Sequence, residues 1–249
     1  LQSEADGAAL TAALADLPDD AFLRLRAEQI VEQARAIAGQ PVDQVIVSVF
    51  TLPARGSSEL FVCAPDRDGL FAAIMATLDK LGIGVARARL LVSEQGRVFD
   101  GFEIIDERTS ATLDAERAQE LRAILLRVLG ARDLHTRPVR RHLPRRLRHF
   151  QSPPQLAFAD VGAATQLAIV CSDRPGVLAQ IAQALREARV RVHDARIATF
   201  GERVEDFFTL TDGNGRALDA AGREIARAAL TRAFGVSTTE SNGNMHAST

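Results

Sequence analysis

Lysine is almost missing from this chain: of its 30 basic residues only Lys80 is a lysine, the rest being arginine. That removes GK[ST] phosphate loops, Schiff-base chemistry and lysine general bases from consideration. Cysteine is nearly as scarce. Cys63 and Cys171 each sit in a short apolar run with no His or Cys at a metal-ligand spacing, which points to two buried thiols in a reducing compartment. No apolar run approaches the ~20 residues that cross a bilayer, and the amino end, LQSEADGAALTAAL, lacks the basic start of a signal peptide. A soluble, cytoplasmic location is expected. Net charge is small as well, −2 from 30 basic and 32 acidic residues, so the average field attracts neither nucleic acid nor an acidic membrane. The first residue is Leu rather than Met, which suggests a chain that begins inside a longer protein.

What is present is an internal repeat. APDRDGLFAAIMATLDKLGIGVARARL, residues 64–90, aligns with CSDRPGVLAQIAQALREARVRVHDARI, residues 171–197, at an offset of 107 (173 − 66). Asp66, Arg67 and Gly69 fall on Asp173, Arg174 and Gly176; Ile74, Leu78, Ala88 and Arg89 fall on Ile181, Leu185, Ala195 and Arg196. With one residue deleted in the turn, Asp100, Phe102 and Asp106 meet Asp206, Phe208 and Asp212. Polar turn residues and apolar core residues agree together, which marks two copies of one module.

Each copy can be read by period. In the first, ELFVCA is a strand, Asp-Arg-Asp-Gly a turn, and Leu70, Phe71, Ile74, Leu78 and Leu81 recur at helical spacing. Gly82 and Gly84 end that helix, VARARLLVS and VFDGFEIID alternate as strands about a Gln95-Gly96 turn, and residues 112–129 read as a second helix. A closing strand is expected near 134–141. The second copy repeats the order, with helices at 176–188 and 218–233 and a closing strand over 234–239. The fold class is therefore α+β, two ferredoxin-like βαββαβ units, each an antiparallel sheet with both helices on one face. Helix-forming residues 17–38, with Phe22, Leu25, Ile30, Ala34 and Ile37 on one face, come before a strand at 44–52 that could pair with the first strand of copy one. The expected organisation is a helical connector at 1–41, a first unit with an extra leading strand at 42–141, an Arg-rich linker at 142–164, a second unit at 165–240 and a disordered tail at 241–249.

Chemistry is thin. His135, His142 and His149 lie in or beside the Arg-rich stretch, His193 is on a strand and His246 in the tail, with no metal spacing and no catalytic acid–base set among them. The stretch RPVRRHLPRRLRHF, residues 137–150, could attract nucleic acid, but it lacks stacking aromatics apart from Phe150 and reads better as a solvated connector. What remains is the Asp-Arg-x-Gly turn that opens the first helix of each copy. A helix amino terminus presents unpaired N–H groups and partial positive charge suited to a carboxylate, and glycine allows close approach to the backbone. The plainer alternative is that Asp66 and Asp173 cap their helices.

The order of elements with DRPGVL at the first turn resembles the ACT domain, a small regulatory module that binds amino acids, often between paired modules. RRHLPRRLRHF, HDARIATFGERVEDFFTLTD and AFLRLRAEQIVEQARAI further resemble the carboxy-terminal region of the bifunctional uridylyltransferase and uridylyl-removing enzymes that act on the PII nitrogen-signalling protein, and the likeness covers residues 20–240. The resemblance implies a glutamine sensor controlling UMP transfer to and removal from PII, with the nucleotidyltransferase and HD-type hydrolase domains, and their magnesium, upstream. It implies no cofactor, no metal and no catalytic residue in this stretch, and no nucleic-acid or membrane partner. It places ligand contacts at Asp173, Arg174, Pro175, Gly176, Val177 and Asp194, and in copy one at Asp66, Arg67, Gly69 and Leu70. Copy one carries Asp68 in place of Pro175, which should repel a ligand carboxylate, and Arg87 in place of Asp194, which should repel its ammonium, so copy two should bind more tightly. Amino-acid sensing ranks ahead of a purely structural tandem packed on the catalytic domains, and both rank ahead of nucleic-acid binding.

Overall fold

The computed structural model describes residues 2–52, 55–134, 153–200 and 203–235. It opens with three helices, α1 (Gln2–Asp16), α2 (Asp19–Arg24) and α3 (Ala27–Ile37). The first unit follows as β1 (Ile46–Leu52), β2 (Ser57–Pro65), α4 (Leu70–Leu81), β3 (Ile83–Arg89), β4 (Arg97–Asp106) and α5 (Ala115–Leu129). The second repeats it as β5 (Gln155–Val161), β6 (Ala164–Ser172), α6 (Val177–Glu187), β7 (Arg191–Phe200), β8 (Arg203–Thr211) and α7 (Ala220–Phe234). The eight strands form one antiparallel sheet in the order β1-β2-β4-β3-β7-β8-β6-β5, each half being one unit.

The fold is α+β with two ACT-like βαββαβ-type units after amino-terminal helices, and the repeat extends into its details. Ile74, Leu78, Ile181 and Leu185 are all buried in one core between the sheet and helices α4–α7. Asp114 and Asp219 cap α5 and α7 by accepting from the N–H groups of Arg117 and Gly222. The hydroxyls of Ser58 and Thr165 accept from the N–H groups of Leu113 and Leu218, tying each first strand to the segment before the second helix.

Three sequence readings change. The outer place beside β6, expected for a closing strand, is taken by the leading strand β5, and the place beside β2 by β1, whose pairing with the first strand of copy one was expected. Residues 155–161, read as linker, are thus a sheet strand, and Phe234, read as starting a closing strand, ends α7. Two arginines hold these outer strands: Arg122 of α5 donates to the Val47 carbonyl at 3.0 Å, and Arg227 of α7 to the Leu156 carbonyl at 3.1 Å while lying over the Phe158 ring. The single helix expected over 17–38 is broken at the extended residues Leu25 and Arg26, which turns Phe22 out to solvent while Ala34 and Ile37 stay buried. Residues 2–16 are helical although they carry no apolar stripe. Most of the expected closing strands, the Arg-rich stretch up to 152 and the 241–249 tail lie outside the described residues.

Helices α1–α3 cover the other face of the first half-sheet, where Ala13, Leu17, Ala34 and Ile37 pack on Phe61, Cys63 and Phe99. The buried carboxylate of Glu59 accepts from Gln33 at 3.2 Å and from Gln29, and Gly101 leaves room for it, since a Cβ there would stand 3.1 Å from Glu59 Oε1. At the place equivalent to Gly101 the second unit has the exposed Phe207. The units meet where β3 runs beside β7, with Ala88 opposite Ala195, Arg87 opposite Arg196 and Arg89 opposite Asp194. Ala88 and Ala195 are equivalent in the repeat, so a local two-fold axis passes between them.

Candidate ligand site at the unit interface

Gly69 and Gly176 precede α4 and α6 with φ of 84° and 80°, a left-handed conformation that a side chain would strain. The chain thereby turns sharply from strand to helix, and the N–H groups of the first helical turn are left without intrahelical acceptors. No side-chain cap closes either helix, so Asp66 and Asp173 are not helix caps. The arginines of the two turns are engaged within their own units. Arg67 donates to the carbonyls of Leu129 and, at 2.9 Å, Ala131 at the end of α5. Arg174 donates to Gln180 at 2.6 Å and lies over the Phe234 ring at the end of α7. Both cations brace the turn on the carboxyl end of a helix, where the dipole favours them.

A cavity of about 770 Å³ opens between the first turn and the second unit. Asp66, Arg67, Gly69 and Leu70 line it on one side, Arg186, Arg189, Arg191 and His193 on the other, and Phe71, Leu90, Val92 and Val98 give it apolar surface. Arg186 reaches across to Asp68 at 3.0 Å, and its guanidinium lies 2.8 Å from where a Cβ on Gly69 would stand. Arg191 stands 3.7 Å from Asp66. The negative charge of Asp68, expected to repel a ligand carboxylate, is therefore answered by a cation of the other unit. His193 bonds to the Thr211 hydroxyl at 2.8 Å, and burial, then Arg24 and Arg191, keep its pKa low.

In the second unit Asp173, Arg174, Pro175, Gly176 and Val177 form the matching turn, with Val177 buried. Asp194 is not brought to it. Its neighbour Ala195 faces the helices, so Asp194 projects from the opposite face of the sheet, paired in register with Arg89. The acid on the helix side near that turn is Asp206, and its equivalent in the first unit is Asp100, which lines the cavity. Asp100 is 2% exposed and Oδ1 has no hydrogen-bond partner, the Leu91 backbone N–H being the donor beside the carboxylate. Burial, with Asp66 adding to it, pushes its pKa well above the usual carboxylate range. Asp206 is 1% exposed with neither oxygen in a hydrogen bond of ordinary geometry, and burial pushes it up to about 7. Site reasoning from sequence passed over this pair, although an acid at an inward position of an alternating strand, present in both copies, was a usable signal.

The thiols of Cys63 and Cys171 are buried, and burial pushes both up to about 12. Among the described residues no cluster could hold a metal ion, and no helix is long and apolar enough to cross a membrane.

Residues 165–229 match the ACT domain family model. The bifunctional uridylyltransferase/uridylyl-removing enzyme of Xanthomonas campestris pv. campestris (strain B100) is 44% identical over 228 residues, 90% of this chain and 26% of that protein. The enzyme of the same name from Methylococcus capsulatus is 34% identical over 227 residues, again 90% of this chain and 26% of that protein. The chain thus spans about a quarter of the length of the curated relatives it matches. Among solved structures, the regulatory subunit of aspartate kinase from Thermus thermophilus overlaps 78% of this chain and 94% of its own at 18% identity, with a TM-score of 0.21, too low to bear on the site.

Proposed function

Since residues 165–229 are an ACT domain within a chain that corresponds to one region of the bifunctional uridylyltransferase/uridylyl-removing enzymes, we propose that this chain is the amino-acid-sensing part of such an enzyme, with L-glutamine as its ligand. The observation that carries the reading is the cavity between the first turn and α6–β7. It offers both signs of charge close together. Helix N–H groups and Arg186 suit a carboxylate, acids suit an ammonium, and the space exceeds that of one amino acid. A ligand seated there touches both units at once, so its binding free energy can change how they sit on each other.

In the longer protein the sensor acts on catalytic domains that use magnesium in the cytoplasm, with glutamine lowering UMP transfer to PII and favouring its removal. Calorimetry on this chain tests the ligand. Glutamine should give saturable heat that glutamate and asparagine do not match. No heat with any amino acid would overturn the sensing reading and leave the turns as braces between units. Adding the catalytic domains should then confer a glutamine response on PII modification.

A further inference from the structure

The cavity holds one group that the turn-based reading does not use. Asp100 lies on the helix side of β4 between Val98 and Phe102, opposite Val62, with Asp66 the nearest charge that acts on it. A carboxylate this deep is costly unless a cation or several donors answer it. None of the cavity arginines bonds to it: Arg67 holds carbonyls at the end of α5, Arg186 holds Asp68 and Arg191 stands by Asp66, while Arg97 is on the opposite face of the sheet with Asp16. Oδ1 is left without a partner, yet Asp100 borders the cavity that also reaches the open first turn of α4. The second unit keeps the same acid, Asp206, at the same depth and equally unanswered, although the residues around the two turns differ. An internal acid kept in both units with no protein cation bonded to it is suited to a cation from outside the protein.

Resting on the sensing reading, we propose that Asp100 receives the ammonium group of the bound amino acid, while the first turn of α4 and Arg186 take its carboxylate, making Asp100 the residue that distinguishes α-amino acids from other carboxylic acids. Asp206 is its counterpart in the second unit. An arriving ammonium supplies the charge that the pocket lacks, and a charge-assisted bond of that kind in low dielectric discriminates strongly.

The test uses the full chain with two probes, L-glutamine and its deamino analogue glutaramate, which keeps the carboxylate and the amide but has no ammonium. Calorimetry on the wild-type chain should show glutamine favoured by roughly 10- to 100-fold, as expected for one hydrogen bond to a charged group. Asp100→Asn should lose most of that preference by weakening glutamine while leaving glutaramate within about twofold, and Asp100→Ala should give the same split. Thermal melting of Asp100→Asn at or above the wild-type midpoint would show that the fold is intact. Undiminished preference in Asp100→Asn and Asp100→Ala would overturn the assignment, as would loss of preference in Asp206→Asn alone. Failure of the wild-type chain to bind glutamine at all would instead overturn the sensing reading itself.

Discussion

Asp206 ties stability to pH in a direction opposite to most carboxylates. Its acid stays protonated in the folded protein up to about pH 7 but ionises near its ordinary 3.8 once unfolded, so the folded state holds the extra proton between those values. Stability should therefore fall as pH rises from about 4 to 7 and level off above it. Asp206→Asn removes the effect. Urea unfolding should show the variant equal to wild type near pH 4 and more stable above pH 7 by on the order of 4 kcal/mol, the free-energy equivalent of that shift. A difference independent of pH would show that Asp206 is ionised throughout. The turn arginines make a second prediction: Arg67→Ala should cost about 1–3 kcal/mol in urea unfolding, because it frees two carbonyls at the end of α5. At this scale the sequence was half legible. Asp-Arg-x-Gly stood out because a glycine turn before an apolar helix is a local pattern. The bracing by Arg67 and Arg174 was invisible because the Leu129 carbonyl and the Phe234 ring that they reach lie on the far helix, about sixty residues away in each copy.

Among the elements, the two outer strands show what local pattern can and cannot reveal. QVIVSVFTL is apolar enough to read as a strand, and β1 forms there. β5 carries the same role with only Leu156 and Phe158 turned inward, and it follows directly on the Arg-rich stretch, so its alternation was absorbed into the linker. Position rather than propensity makes it a strand: the β6 edge supplies the ladder, and Arg227 pins it from above. The junction strands explain a second asymmetry. Arg87 lies between Glu103 of β4 on one side and Arg196 of β7 on the other, whereas Asp194, its equivalent, lies between Thr209 and Arg89. Arg87→Asp alone should destabilise, since it sets two carboxylates side by side. Adding Glu103→Thr should recover stability, with a favourable coupling of about 0.5–1 kcal/mol in a double-mutant cycle read by urea unfolding. Simple additivity of the two changes would mean that these side chains do not meet.

At the scale of the whole molecule, α1 is fixed to the sheet through a buried charge. Arg97, 4% exposed, bonds to Asp16 at the end of α1 at 2.7 Å and lies over Phe99. Asp16→Ala should cost ~2–3 kcal/mol of global stability, somewhat below a fully buried pair because Asp16 keeps a third of its side chain in water. Measured by hydrogen exchange, protection should be lost first in α1. No change there would show that the apolar contacts of Leu17 and Ala13 suffice. Arg97 opens the same strand that carries Asp100, three residues on, so a shift of β4 on ligand binding would pull directly on α1.

The axis between Ala88 and Ala195 has one more consequence, and it concerns inheritance. Two identical subunits meeting at such an axis are written by one gene, so any substitution appears on both sides and must suit both. Here each half is written separately. Arg87 can answer Glu103 while Asp194 answers Arg89, and Arg186 can close over one turn while its counterpart, Asp79, stands in the other half. Fusing a symmetric pair into one chain thus lets mutation tune one binding place without obliging the other to follow.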